Sequence, residues 1–297
     1  MIYLDEERVA ALLDWDELID AMEQALAAFS KGAVIQPVRT ILKIEERARY
    51  FGVMPAVLGD VIGAKFVTFY PSNAEVGLHT HHATIVLYSK ETGSPLSLMD
   101  GRLITEMRTA AVSAAITKYL AAPNCRILAL LGSGVQARAH LAALSRVRAF
   151  DEVRVWSRTA AHARRFAAEH HVTLADSAEA AVRGADVVVT ATSAHEPVLR
   201  GAWLKRGAHV NAVGSAQPQW RELDTAAMRN LVVVDSREAA ACEAGDVILA
   251  QAIIRAEAGE IFSGAVTVPA TETTIFKSLG LAVEDVAAAK LVYEKAL

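Results

Sequence analysis

Cysteine is nearly missing from this chain: Cys125 and Cys242 are the only two in 297 residues. Two cannot build a disulfide framework or a cysteine zinc site, and so small a number points to a reducing, cytoplasmic setting. Long apolar runs are missing too. None reaches the roughly 20 residues that cross a bilayer, and Asp5, Glu6 and Glu7 stand where a secretory leader would be basic, so no membrane partner is expected. Cationic excess is likewise lacking. Against 34 Asp and Glu, 30 Lys and Arg leave a formal net charge of −4, which offers no basic face to nucleic acid. Internal repeats and low-complexity linkers are not found. What is present is 53% hydrophobic residues, enough for the core of one large domain or two ordinary ones.

The strongest pattern runs from Arg126 to Thr159. Arg126-Ile127-Leu128-Ala129-Leu130-Leu131 is an apolar run of strand length, and Gly132-Ser133-Gly134-Val135-Gln136-Ala137 follows at once. An Ala- and Leu-rich segment with helical spacing comes next, then a second strand, Val153-Arg154-Val155-Trp156. A strand entering G-x-G-x-x-G/A and then a helix is the fingerprint of a dinucleotide site. Gly132 and Gly134 let the backbone turn and approach a pyrophosphate. The helix N-terminus at Val135 and Gln136 stabilises its charge, and Ala137 fills the third small position. NAD-binding chains usually end the second strand with Asp or Glu, which bonds the ribose hydroxyl. Here Ser157-Arg158-Thr159 stands instead. An arginine and two hydroxyls suit a phosphate, so NADP(H) is the preferred cofactor and NAD(H) the second choice. A lone loop arginine is more often merely solvated, but the strand, helix and strand around this one favour the functional reading.

The rest of the chain sorts into two kinds. Near the start, Asp14 is a good N-cap with Glu17 in the capping-box position, Leu18, Ile19, Met22, Leu26 and Phe29 mark one apolar helix face, and Gly32 ends it. Residues 38–44, 50–54, 62–70, 83–88 and 96–99 read as short strands parted by turn signals, a mostly antiparallel sheet. A long helix then runs to about Leu120, and Pro123-Asn124 mark a boundary. Beyond Trp156 the alternation continues with strands at 172–174, 187–190, 209–213 and 231–235. With the two already placed, that makes six strands of a doubly wound parallel sheet. Residues 283–296 form a closing helix.

Three cations stand in apolar surroundings: Arg39 in the middle of an expected strand, Lys65 inside Gly63-Ala64-Lys65-Phe66-Val67, and Arg108 near a helix start. Taken singly, an edge-strand gatekeeper explains Lys65 and a surface pair explains Arg39. Together, beside a dinucleotide domain, they suggest a pocket for a substrate carboxylate, because a charge in apolar surroundings is costly without an anionic partner. His79, His81 and His82 lie close, with His79 and His81 expected on one strand face. No cysteine or carboxylate cluster completes a ligand set, so no metal is expected.

Several stretches carry a resemblance. Gln36-Pro37-Val38-Arg39-Thr40, Gly52-Val53-Met54-Pro55-Ala56, residues 65–70, residues 108–114, Gly132 to Ala137, Asn211-Ala212-Val213-Gly214, Gly245-Asp246-Val247 and residues 274–280 resemble the ornithine cyclodeaminase/mu-crystallin family. Pro218-Gln219-Trp220-Arg221-Glu222-Leu223-Asp224 is closest to its mu-crystallin branch. The resemblance implies a homodimer of α/β subunits. In each, a Rossmann domain, residues 120–283, is inserted into an α+β dimerisation and substrate domain, residues 1–119 and 284–297. It implies that Arg39, Lys65, Arg108 and Glu243 line the substrate pocket, and that His81, Thr109 and Val213 lie beside the cofactor. Arg158 and Thr159, with Ser157, would hold the adenosine phosphate.

One departure matters. Cyclodeaminases and related alanine dehydrogenases carry Asp where this chain has Ala216, in Gly214-Ser215-Ala216-Gln217-Pro218. A methyl group neither orients an ammonium nor takes its proton, and the neighbouring Ser215 hydroxyl is a poor base. The expected function is therefore NADPH-dependent reduction of cyclic ketimine carboxylates such as piperideine-2-carboxylate or pyrroline-2-carboxylate, with Lys65 as the first candidate proton donor. Ornithine cyclodeaminase, or a non-catalytic crystallin-like protein that binds NADPH, is the alternative.

Overall fold

Asp14 starts a helix as its position predicts: its carboxylate accepts from the amides of Asp16 and Glu17, at 2.9 and 3.2 Å. That helix, α2 (Trp15–Ser30), follows β1 (Ile2–Leu4) and α1 (Glu6–Leu12), and buries Leu18, Ile19, Met22, Ala25 and Leu26. The computed structural model describes residues 1–45 and 49–297. Next come β2 (Thr40–Glu45), β3 (Arg49–Leu58), β4 (Val61–Phe69), β5 (His81–Ser89) and β6 (Pro95–Asp100), then the long helix α3 (Arg102–Leu120). The sheet order is β1-β6-β5-β4-β3-β2. All pairs are antiparallel except β1 with β6, and β1 is too short to show any alternation in sequence. Arg39 lies one residue ahead of β2, not in mid-strand as expected. Pro37 has no amide to donate to a ladder, and pairing with β3 begins only at Thr40.

After α3 the chain alternates. It forms β7 (Ile127–Leu131), α4 (Val135–Val147), β8 (Glu152–Trp156), α5 (Ala160–His170), β9 (Thr173–Leu174), α6 (Ala178–Val182), β10 (Val187–Thr190) and β11 (His209–Ala212). Then come β12 (Leu231–Val234), α7 (Arg237–Glu243), α8 (Gly245–Ala250), β13 (Ile254–Glu257), α9 (Ala258–Phe262) and β14 (Thr274–Lys277), with α10 (Ala282–Lys295) last. The second sheet is parallel throughout, in the order β13-β12-β14-β11-β10-β7-β8-β9. It has eight strands where six are expected. The additional ones, β13 and β14, are four residues each, and Lys277 ends β14 with a charge that hides its strand character. By contacts the chain divides into Met1–Arg108 with Gly280–Leu297, and Thr109–Leu279. These divisions differ from the expected ones at 119/120 and 283/284; the first falls inside α3.

In the first unit α10 lies on β3, β4 and β5, beside α2. Alternation along β4 turns Val61, Gly63, Lys65 and Val67 inward. Gly63 is needed for this approach: a Cβ there would stand 2.6 Å from a Val286 methyl and 2.9 Å from Leu87. The opposite face of the sheet remains apolar and open, with Leu42 55% exposed and Ile62, Phe66 and Tyr88 each 37% exposed. Phe51 and Phe66 stack across strands on that face, with ring centres 6.1 Å apart.

Candidate active site and dinucleotide crevice

Lys65 is buried on the inner face of the first sheet, paired across strands with Met54 and Ile85. β4 is a central strand, so the edge-gatekeeper explanation for this lysine does not hold. Its ammonium meets Asp285 Oδ2 at 2.6 Å. The other oxygen of the same carboxylate accepts from Arg108 Nε at 2.9 Å, and Glu284 Oε2 accepts from Arg108 Nη1 at 2.5 Å. All four side chains are at most 4% exposed. Both carboxylates sit in the first turn of α10, where the helix dipole favours negative charge. The amide of Val283 in that turn donates to Gln36 Oε1 at 2.6 Å, tying the Gln36–Thr40 segment to α10.

The electrostatics follow from this geometry. Burial lowers the Lys65 pKa most strongly, Asp285 opposes it, and Arg108 and Arg39 add to the lowering, so that Lys65 comes to about 8. Burial also works against the Arg108 charge, but Asp285 and Glu284 outweigh it and raise its pKa. His81, the first residue of β5, packs against Phe69 with ring centres 4.5 Å apart. Although part of the residue meets solvent, crowding by surrounding protein, then the Lys65 and His82 charges, lower its pKa to about 4. His79 precedes β5 and so does not share its strand face as expected. Among the described residues no group of three or more His, Cys, Asp or Glu is placed to hold a metal. The structure thus brings Lys65, Arg108 and, through its charge, Arg39 together. It adds Asp285 and Glu284, which the sequence reading missed: an adjacent acidic pair in the apolar first half of the closing helix was the available signal.

The second unit carries the dinucleotide pattern at the carboxyl edge of its sheet. β7 turns one way to β8 and has β10 on its other side, so a crevice opens between the ends of β7 and β10. Gly132 has φ +118°, and a Cβ there would fall well inside van der Waals contact with the Ala191 carbonyl oxygen, so only glycine fits. Gly134 caps α4 with open space where its Cβ would be, so its backbone can be approached closely, and Ala137 is buried under the helix. Val135 and Gln136 begin α4. Ser157, Arg158 and Thr159 follow β8, with Arg158 exposed and Thr159 as the N-cap of α5. Val213 donates to the Thr190 carbonyl at 2.9 Å. Thr109 is half-buried in α3, and Glu243 is half-buried at the end of α7. These features fit a bound dinucleotide: a glycine turn, open helix amides and an unencumbered arginine.

Beneath the same edge lies a second buried charge cluster. Glu222 accepts from Thr190 Oγ1 at 2.8 Å, from the amide and hydroxyl of Thr192 at 2.7 and 2.6 Å, and from the Gly214 amide at 2.9 Å. Burial, against the pull of Lys277, raises its pKa. Lys277 meets Asp246 Oδ2 at 3.0 Å and donates to the Gly214 carbonyl, and Asp246 Oδ1 accepts from the amides of Glu222 and Leu223. The turns after β10 and β11 are therefore held on one carboxylate. Ala216 stands half-buried in the second turn. Ser215 is buried at φ +53°, and its hydroxyl donates to the Ala194 carbonyl, so it is not a base in waiting. Glu222→Ala leaves four donors without their acceptor and removes a buried negative charge that acts on Lys277. It should cost about 3–5 kcal/mol of stability, read from urea unfolding; an unchanged midpoint would show that the cluster does not hold the fold.

A family model, the ornithine cyclodeaminase/mu-crystallin family, matches residues 2–297. The ketimine reductase mu-crystallin of Mus musculus is 48% identical over 285 residues, covering 93% of this chain and 91% of its own. The solved Δ1-pyrroline-2-carboxylate reductase of Thermococcus litoralis, in complex with NADH and L-proline, superposes with a TM-score of 0.94 at 36% identity, covering 100% of this chain and 97% of that one. An archaeal alanine dehydrogenase dimer with bound NAD gives 0.93 at 34%, covering 100% and 96%. With its parallel Rossmann sheet, its second mixed sheet and a match over nearly every residue, the chain belongs to the ornithine cyclodeaminase/mu-crystallin family.

Proposed function

We propose that this protein is a nicotinamide-dependent reductase of cyclic ketimine carboxylates, with piperideine-2-carboxylate and pyrroline-2-carboxylate as its substrate class. The observation that carries the reading is the buried Lys65, lowered to about 8 beside Arg108. An ammonium poised near neutral pH is a suitable acid for an imine nitrogen. The nicotinamide, when bound, supplies the hydride for the imine carbon. Arg108, with Nε and Nη1 on protein carboxylates, is proposed to bind the substrate carboxylate. Arg39 supplies further positive charge, and Lys65 donates the proton that completes the amine. Glu243 is proposed for the substrate pocket, and His81, Thr109 and Val213 for the surroundings of the cofactor.

Ala216 and the engaged Ser215 hydroxyl argue against amine elimination from ornithine, because neither takes a proton from an ammonium. The test is an assay of NADPH consumption with both ketimines, run beside ammonia release from ornithine with either cofactor. Ketimine reduction without ammonia is expected. Ammonia release with no net change in nicotinamide would establish the lyase instead, and tight NADPH binding with no turnover would establish a binding protein.

The preference for NADPH rests on Arg158, exposed at the end of β8 with no carboxylate in Ser157-Arg158-Thr159. Arg158→Ala should weaken NADPH about tenfold to over a hundredfold, the worth of one charge-assisted contact, and NADH far less. Equal losses in a fluorescence titration would mean that Arg158 does not read the phosphate.

The homodimer reading rests on the open apolar face around Leu42, Ile62, Phe66 and Tyr88, since a soluble monomer rarely leaves such a face uncovered. Sedimentation should give twice the chain mass of 31.8 kDa, and Phe66→Lys should return it to the monomer. A wild-type protein that sediments as a monomer refutes this.

A further inference from the structure

One carboxylate in the first unit has no part in the function proposed above, yet it touches both cations that do. Asp285 Oδ2 lies 2.6 Å from Lys65 Nζ, and Asp285 Oδ1 accepts from Arg108 Nε at 2.9 Å. It reaches them because α10 is seated low on β4, over Gly63. The fixed first turn of the helix, tied to Gln36, leaves its side chain little freedom. Glu284 beside it engages Arg108 Nη1.

We propose that Asp285 is the positioning residue of the proton donor: it fixes the Lys65 ammonium against Arg108 and keeps that ammonium protonated at neutral pH. The proposal rests on the ketimine reductase reading for its catalytic consequence, though not for the ion pair itself. Around Lys65 stand Arg108 from α3, Arg39 ahead of β2, His81 from β5, and Asp285 with Glu284 from α10. Burial and the cations drive the proton off Lys65, and Asp285 is the anion that opposes them. Without it a lysine so buried, facing two guanidinium groups, would lose its proton below neutral pH. The same carboxylate makes the substrate site self-limiting in charge. Lys65 and Arg108 are balanced by Asp285 and Glu284, so a substrate carboxylate does not meet a bare triple cation.

The measurement is the pH dependence of kcat/KM for NADPH-dependent reduction of piperideine-2-carboxylate. With Lys65 as the acid, the wild-type rate should fall as pH rises through about 8. Asp285→Asn should move that fall downward by about one unit or more, the shift expected when an opposite charge within about 4–6 Å is removed. At pH 8 a one-unit shift means a loss of about fivefold, shrinking toward acid pH. Glu284→Gln removes a charge that is paired with Arg108 and should move the fall less. A merely structural role would lower the rate evenly at every pH and leave the fall in place, and that result overturns the proposal. Should Asp285→Asn fail to fold, the unmodified protein decides by carbon NMR. Lys65 Cε should titrate near 8, with the adjacent Asp285 carboxylate carbon responding to that same Lys65 proton as a shared inflection; a Lys65 inflection at the ordinary value near 10.4, or no shared response, overturns it. The same titration separates the two proposals: a shared inflection in a protein that reduces no ketimine keeps the ion pair and removes the reductase.

Discussion

Two positive charges cannot be buried without two negative ones, and the first unit is organised by that constraint. Lys65 faces inward from a central strand between Met54 and Ile85, where an unpaired ammonium would be costly to desolvate. The carboxylates of Asp285 and Glu284 arrive on α10, more than 170 residues later in the chain. Their reach depends on Gly63, whose missing side chain lets the helix settle on β4. A structural need and a chemical opportunity coincide here. The partner that makes Lys65 tolerable also holds its proton close to neutral pH.

The second unit applies the same rule to a different end. Glu222, Lys277 and Asp246 are all fully buried, and together they gather the amides and carbonyl of two turns at the carboxyl edge of the parallel sheet. Those turns border the crevice beside Gly132. Rigid turns, built by a satisfied polar cluster and not by loop sequence, suit a site that must hold a flexible dinucleotide in one geometry. Ser215 accepts a left-handed backbone and spends its hydroxyl on Ala194, which leaves Ala216 as the chemically silent member of its turn.

Much of this was legible in order along the chain. The strand, the glycine turn and the helix at Ile127–Val147 follow from local rules: apolar length, small residues where backbone must turn, and helical spacing after it. The cap at Asp14 and the alternation in β4 are local as well. Two short strands were not legible, because β13 carries Arg255 and Glu257 and β14 ends in Lys277, so neither shows the apolar run that marks the equally short β10 and β12. Arg39 was legible as a cation but not as coil.

The sequence by itself determined the dinucleotide fold, the missing carboxylate at Ser157-Arg158-Thr159 and the silent methyl of Ala216, since each is a matter of which residue follows which. Only the tertiary structure decided that Lys65 and Arg108 are paired with protein carboxylates, that Ser215 is spoken for, that Asp246 meets Lys277, and that Glu222 holds two turns at once. Those facts depend on pairings across tens to hundreds of residues. Charge attraction acts through space, so no spacing in the sequence encodes which carboxylate a buried lysine will meet.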